Sequence, residues 1–221
     1  MIIVIDGPAG SGKSSTAKKL AELLDIQYLD SGALYRALTF LWLENDKPDL
    51  SEFFDILPDV KLETEYRDQL FHVTMKGKDI TKDIRTQQVA NHVSTIAAKP
   101  EAREFVNQYM RKLVISDTYI ADGRDLGTAV FPNADLKFYM DASLDERAKR
   151  RYRELISNDT DISFEEVKDN LEERDHTDSN RSADPLRKDK NAILIDTTGK
   201  TFREQIDEMV NIIRQKLKLK Q

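Results

Sequence analysis

Apolar residues follow two alternating patterns along this chain. Residues 2–5 form a continuous β-branched run, which is typical of a strand buried on both faces. After a glycine-rich turn, apolar residues recur at helical spacing between positions 17 and 24 and predict a helix. Further apolar runs predict strands at residues 27–29, 119–121, 136–140 and 192–195. Strands that alternate with helices indicate a parallel sheet, so we expect an α/β fold with a five-stranded parallel sheet.

One region interrupts this alternation. Two strand-like segments, 61–66 and 70–75, flank a polar turn, which favours an antiparallel hairpin. We therefore interpret residues of about 37–100 as an insert in a single domain, 1–221, whose core comprises 1–36 and 101–221. A polar stretch between two helical patterns predicts a short lid at about 150–165.

The turn after the first predicted strand carries a phosphate-binding pattern. Its residues match G-x-x-x-x-G-K-[ST] through Gly7, Pro8, Ala9, Gly10, Ser11, Gly12, Lys13 and Ser14. Glycines let consecutive backbone N–H groups face an anion, and the following helix adds its positive N-terminal end. Lys13 would reach the β- and γ-phosphates of a nucleoside triphosphate, and the Ser14 hydroxyl would ligate Mg²⁺. Together with Ser15, these residues form the predicted cofactor-binding loop for ATP.

Composition and charge narrow the classes of partner. The 221 residues carry a formal net charge of −6, whereas proteins that bind duplexes are usually basic, so nucleic acid is not an expected partner. The chain has no cysteine, which excludes disulfides and thiol nucleophiles and fits a cytoplasmic location. No apolar stretch approaches the length of a membrane-spanning helix, so we expect no membrane partner.

Arginines are concentrated in a few segments. An enzyme that joins two phosphorylated molecules needs several cations around the transferred group, and the planar guanidinium can hold two phosphate oxygens. Arg124 follows a predicted strand, where parallel sheets bind ligands, whereas Arg147, Arg150 and Arg151 could equally form a solvated helix face. A phosphate acceptor already carries an anionic oxygen near neutral pH, so no catalytic base is required.

Several segments together resemble the bacterial cytidylate kinases. They are GPAGSGKSS at the N-terminus, LDSGALYR at 29–36, DIRTQQVANHVSTIAA at 83–98, IADGRDLGTAVFP at 120–132 and RDHTDSNR at 174–181. The resemblance covers nearly the whole chain, and the three segments from 29 to 132 are more specific than the phosphate loop. It implies a three-layer P-loop kinase fold, an insert that binds the nucleoside monophosphate, and transfer of the ATP γ-phosphate to CMP or dCMP.

The resemblance also implies individual roles. Ser31, Arg36 and Arg124 would hold the CMP phosphate, and Ser94, Arg103 and Asp125 would contact the cytosine. Arg174 and Asp178 would contact the sugar. Arg181 would bridge the donor and acceptor phosphates, so that the implied catalytic residues are Lys13, Arg124 and Arg181.

Three positions depart from the family pattern. Asp184 stands where a small residue is usual, and Thr177 and Ser179 stand where some members carry further arginines. These departures concern the lid side of the site.

Two other functions remain as alternatives. Another small P-loop kinase, such as an adenylate or shikimate kinase, would share the phosphate loop. A GTP-binding switch would normally carry N-K-x-D late in the chain, which this sequence lacks. The simplest expectation for the oligomeric state is a monomer that binds small nucleotides.

Overall fold

The computed structural model describes residues 1–115, 117–157 and 162–217. Within these ranges the strands are β1 (Ile2–Asp6), β2 (Gln27–Asp30), β3 (Leu62–Arg67), β4 (Leu70–Met75), β5 (Lys78–Asp79), β6 (Tyr119–Gly123), β7 (Leu136–Asp141) and β8 (Ile193–Asp196). The α-helices are α1 (Lys13–Leu24), α2 (Ser31–Glu44), α3 (Leu50–Asp55), α4 (Gln87–Ala97), α5 (Pro100–Leu113), α6 (Leu144–Ile156), α7 (Phe164–Asn180) and α8 (Phe202–Leu217).

A parallel sheet forms the core of the molecule. In the described part of the chain it has five strands in the order β2-β6-β1-β7-β8. Ile3 of β1 pairs with Ile120 of β6 on one side and with Leu136 of β7 on the other. Ile3, Val4 and Ile5 are fully buried, because helices cover both faces of the sheet. The predicted α/β fold with five parallel strands is confirmed.

A second, antiparallel sheet lies between α3 and α4 in the chain. Leu62 pairs with Met75 and Arg67 with Leu70, and the predicted hairpin is therefore confirmed. Asp68 and Gln69 form its two-residue turn with φ of 50° and 59°, the positive values that a tight hairpin of this kind requires. The two-residue strand β5 completes the sheet, and it is too short for hydrophobic periodicity to predict.

Two further features lie near the carboxyl ends of the parallel strands. A single π-helical turn, Leu126–Val130, follows β6 and was not expected from the sequence. Residues 158–161 of the predicted lid lie outside the described residues, and its described flanks belong to the end of α6 and the start of α7. Among the described residues, no helix combines the length and apolar character needed to cross a membrane.

Candidate functional site

A cleft of about 780 Å³ opens at the carboxyl ends of the parallel strands. It is bordered by the phosphate loop, the starts of α1 and α2, the segment after β6, and α7. Most of the residues that the sequence predicts for the site line this cleft: Ala9, Gly10, Gly12, Lys13, Ser14, Ser15, Ser31, Arg36, Ser94, Arg103, Arg124, Asp125, Arg174, Asp178 and Arg181. Gly7, Pro8 and Ser11 belong to the phosphate loop but lie behind its cleft-facing surface.

The cleft is strongly cationic although the whole chain is acidic. Among the described residues, eleven lysines and arginines but only five carboxylates line it. The net charge of the chain is −6, so the cations are concentrated where an anion would bind.

Two glycines determine the path of the phosphate loop. Gly7 has a φ of 153°, and a Cβ there would lie 2.0 Å from the carbonyl oxygen of Met140. Gly12 precedes α1 with a φ of 88°, a left-handed conformation that glycine adopts without steric cost. The loop therefore turns tightly against β7 and places the N-terminus of α1 at the cleft.

Lys13 is the first residue of α1 and is almost fully buried. Its Nζ donates to the main-chain oxygen of Pro8 at 2.9 Å, within the loop itself. Burial and the nearby Arg124 lower its pKa to about 7. The ammonium is thus held in the loop with little compensating charge, as a cation that an anionic ligand would stabilise.

Asp122 and Ser14 form a hydroxyl–carboxylate pair at the base of the cleft. Ser14 Oγ donates to Asp122 Oδ2 at 2.6 Å, and the hydroxyl of Tyr28 donates to Asp122 Oδ1 at the same distance. Burial raises the pKa of Asp122, and nearby Asp30 raises it further. Asp122 lies outside the predicted site residues, although an apolar strand that ends in an aspartate beside a phosphate loop is a usable signal for it.

Arg147 supports the outer side of the phosphate loop. Its guanidinium donates to the main-chain oxygens of Ala142 and Ala9, each at 3.0 Å, and pairs with Asp175 at 2.5 Å. Asp175 also accepts from the backbone N–H of Ala9 at 3.3 Å. The alternative of a solvated helix face is therefore wrong for Arg147, whereas Arg150 and Arg151 line the cleft.

A group of arginines faces the centre of the cleft. Burial lowers the pKa of Arg36, and it lowers that of Arg174 to about 10, with nearby Arg124 contributing to the latter. The Nε of Arg174 is buried and has no hydrogen-bond partner among the described residues. Because buried donors are normally satisfied, this atom indicates a place for an acceptor such as a phosphate oxygen.

Asp178 lies beside these cations on α7. It accepts from Arg124 Nε at 2.9 Å and from Arg181 at 3.4 Å. Burial would raise its pKa, but the charges of Arg124, Arg174 and Arg181 outweigh burial and lower it. Asp178 is therefore an ionised carboxylate that orients two of the predicted catalytic arginines.

A second ion-pair network occupies the far end of the cleft. Arg103 donates to Asp125 Oδ2, and Arg181 donates to Asp125 Oδ1 at 2.8 Å. The Arg103 guanidinium also lies 5.5 Å from the ring centre of Tyr35. Ser31 Oγ donates to the main-chain oxygen of Asp122 at 2.7 Å. The predicted residues from five separate segments thus meet in one cleft.

Sequence reasoning missed several residues of the cleft. Besides Asp122, they include Lys18, Asp30, Tyr35, Arg85 and Lys200. Asp30 also caps α2 by accepting from the backbone N–H of Ala33, and it lies 3.7 Å from Arg85. Lys18 lies one helical turn after Ser14, and Asp30 and Tyr35 adjoin the predicted residues Ser31 and Arg36, so spacing could have indicated these three. Arg85 and Lys200 reach the cleft only through folding.

Comparison with known proteins agrees with this geometry. Residues 3–215 match the model of the family described as cytidylate kinase. A curated cytidylate kinase of Carboxydothermus hydrogenoformans is 41% identical over 218 residues, with 98% of each chain covered. Another, of Lactococcus lactis, is 42% identical over 216 residues and covers 98% of this chain and 96% of its own length.

The similarity in structure extends to more distant proteins. A crystal structure of an uncharacterized protein from Eubacterium ventriosum superposes with a TM-score of 0.56 at 15% sequence identity and covers 97% of this chain and 98% of its own. That likeness concerns the fold alone. The family match over almost the whole chain and the close curated relatives show that this chain belongs to the cytidylate kinase family.

Proposed function

We propose that this protein transfers the γ-phosphate of ATP to CMP or dCMP, giving CDP or dCDP and ADP. One observation carries the proposal: the phosphate loop and a second group of arginines line the same cleft. The loop suits a triphosphate donor, and the arginines suit a second phosphate placed opposite it. Membership of the cytidylate kinase family supports the same reaction.

The donor would lie along the phosphate loop. Backbone N–H groups at the start of α1 would bind the β- and γ-phosphates, and Lys13 would exchange its contact with Pro8 for phosphate oxygens. Ser15 lines the cleft from the first turn of the helix. ATP is the donor that the kinase family implies.

Magnesium fits the residues at the base of the cleft. Mg²⁺ prefers hard oxygen ligands and often binds through one or two protein groups together with substrate phosphates. Ser14 and Asp122, already joined at 2.6 Å, would hold the ion. When bound, it would neutralise charge on the donor phosphates.

The acceptor phosphate would bind between Ser31, Arg36 and Arg124. One of its oxygens attacks the γ-phosphorus, while the bond from that phosphorus to the β,γ-bridging oxygen breaks and its electrons remain on ADP. The attacking oxygen needs no base because it is already anionic near neutral pH. Lys13 and Arg124 would stabilise the charge that spreads over the transferred group, so catalysis consists of alignment and electrostatics. Arg181 is held between Asp125 and Asp178, so it would bridge the two phosphates only after exchanging those contacts.

The nucleoside would extend toward the far end of the cleft. Ser94, Arg103 and Asp125 would contact the cytosine, and Arg174 and Asp178 the sugar. Each oxygen of Asp125 already accepts from one arginine, and a carboxylate oxygen can accept a second hydrogen bond. The cytosine N4 amino group is a donor that suits this carboxylate, whereas uracil carries an acceptor there.

The proposal extends to the domain organisation. Residues of about 37–100, which contain the antiparallel sheet, would bind the nucleoside monophosphate and close over it, and residues of about 150–165 would act as the lid. Closure would exclude water, which otherwise competes as an acceptor. A monomeric state and a cytoplasmic location remain predictions from the sequence.

A substrate panel tests the proposed function. We expect ATP-dependent turnover of CMP and dCMP to exceed that of UMP, AMP and shikimate in kcat/KM, measured by coupled detection of ADP. Lys13→Met serves as the control, and it should lose turnover with every acceptor because the donor phosphates lose their buried cation. A clear preference for AMP or shikimate would overturn the proposal and favour another small P-loop kinase.

A further inference from the structure

Asp184 has an unusual backbone conformation beside the cleft. Its φ is 44°, in the left-handed region, which aspartate and asparagine adopt more often than most other residues with a side chain. Pro185 follows it directly and restricts the backbone of the preceding residue further. A strained residue persists only where surrounding contacts hold it, and such residues concentrate at functional sites.

Two different atoms of Asp184 contact two different arginines. Its Oδ2 accepts from Arg103 Nε at 3.0 Å and from Asn107 Nδ2 at 3.3 Å. Its main-chain oxygen accepts from Arg181 Nε at 2.9 Å and from the Arg181 terminal nitrogen at 2.6 Å. The left-handed turn is what allows the carboxylate and the carbonyl to serve both guanidinium groups.

The contact with Arg103 completes the surroundings of that side chain. Arg103 is 2% exposed, and its other nitrogens donate to the Ala97 main-chain oxygen at 3.1 Å and to Asp125. Without the Asp184 carboxylate, Asp125 would be the one carboxylate left to Arg103 among the described residues, and Arg181 pairs with the same carboxylate. Arg103 Nε would then lack an acceptor, and the guanidinium could rotate away from the cleft.

We propose that Asp184 is a positioning residue for recognition of the nucleobase. Its carboxylate lies behind the cleft wall and accepts from Arg103 Nε, so that Arg103 and Asp125 keep the orientation in which they face the base. This inference rests on the proposed function, and it assigns a role to an acidic residue at a position where the family usually has a small one.

The glycine variant separates the role of the Asp184 side chain from that of its main-chain carbonyl. In Asp184→Gly, glycine adopts the positive φ without cost and keeps the carbonyl that Arg181 uses, while Arg103 Nε loses its acceptor. We expect KM for CMP to rise about tenfold, the order of one hydrogen bond to a charged group, with kcat within about threefold of the parent. The CMP-to-UMP ratio of kcat/KM should fall by a similar factor.

A conservative variant provides the rescue. In Asp184→Asn, the amide oxygen can still accept from Arg103 Nε, and asparagine tolerates the left-handed conformation. We therefore expect KM for CMP and the CMP-to-UMP ratio to lie within about threefold of the parent. Asp184→Ser gives a second comparison, because its hydroxyl is too short to reach Arg103. Serine is strained at a positive φ, so the Tm of this variant is measured beside its KM.

Three results would overturn the inference. The first is a glycine or serine variant with a lowered Tm but unchanged KM and CMP-to-UMP ratio, which would make Asp184 purely structural. The second is an asparagine variant as impaired as the glycine variant, and the third is a loss confined to kcat. Turnover of CMP by the parent tests the proposed function, and the ratio of variant to parent tests Asp184, so the two failures are distinct.

Discussion

Lys13 illustrates how a single residue is prepared for its ligand. It sits in a loop whose glycines admit a bend that other residues would not, and among the described residues its Nζ donates only to a main-chain oxygen. Burial and Arg124 keep its pKa near 7, well below the usual value for lysine. The ammonium form is therefore disfavoured in the free protein, and bound phosphates would favour it.

Because the pKa of Lys13 is lowered, we expect the protein to take up protons when it binds the phosphate donor ATP. At pH 8 Lys13 is largely neutral in the free protein, so binding of a non-hydrolysable ATP analogue should be accompanied by uptake of close to one proton. At pH 6 Lys13 is already protonated, so this uptake should be absent. Calorimetry in buffers of different ionisation enthalpy measures this uptake. Lys13→Arg is the control, because its guanidinium does not titrate in this range and the ligand's own titration remains. If proton uptake differs between pH 8 and pH 6 by the same amount in Lys13→Arg and in the parent, the titrating group is not Lys13.

At the scale of elements, strand β2 of the parallel sheet contacts both the antiparallel sheet and the base of the cleft. Its Tyr28 is fully buried, and the ring lies edge-on to Tyr66 of β3 at 5.5 Å and to Phe71 of β4 at 6.1 Å between ring centres. The Tyr28 hydroxyl donates to Asp122, which also accepts from Ser14. The antiparallel sheet of the proposed insert is thus packed on the residue that orients the proposed magnesium ligand.

Two tyrosines of this contact make a matched pair for mutation. Tyr28→Phe leaves the packing intact but removes a donor to a buried carboxylate, so the free energy of unfolding should fall by about 1–3 kcal/mol. The Tyr66 hydroxyl is buried without a hydrogen-bond partner in the described structure, so Tyr66→Phe removes an unsatisfied polar group and should leave the free energy of unfolding equal or higher. Urea unfolding at pH 7.5 measures both. Similar losses in the two variants would show that ring packing, not the Asp122 hydrogen bond, is responsible.

At the scale of the whole molecule, the free cleft concentrates charge at a cost in stability. Arg36, Arg124 and Arg174 converge from α2, the segment after β6, and α7, and their mutual repulsion adds to the cost of burial. Protein sites often retain such unfavourable charge because the ligand compensates it. The acidic remainder of the chain balances this charge only at long range, where solvent and salt screen it.

Arg174 allows this cost to be measured. Arg174→Met removes a cation whose buried Nε lacks a partner in the described structure, so the free energy of unfolding without nucleotide should rise by about 1 kcal/mol. The stabilisation that saturating CMP provides should decrease in the same variant, because a phosphate or sugar contact is lost. Arg153→Met, at an exposed position of α6, should leave both quantities within about 0.5 kcal/mol of the parent. If Arg174→Met instead lowers stability without nucleotide, the attraction to Asp178 outweighs the burial and repulsion.

Prediction from the sequence succeeded where the signal is local. The parallel strands, the hairpin and the phosphate loop each depend on residues that are neighbours in the chain, and their periods or spacings are visible there. The two-residue strand β5 and the π-helical turn after β6 were not predicted, because neither is long enough to show a period. Arg147 could not be distinguished from a solvated residue, since its partners Ala9 and Asp175 lie far away in the sequence.

The sequence by itself determined the α/β class, the phosphate loop and, through resemblance, the family. The tertiary structure alone decided which polar and charged groups pair: Asp122 with the Ser14 hydroxyl, Asp178 with Arg124, and Asp184 with Arg103. The physical reason is the separation along the chain between the residues that interact. Strand and helix patterns arise from backbone geometry over a few residues, whereas an ion pair depends on a separation of about 3 Å between groups that only folding brings together.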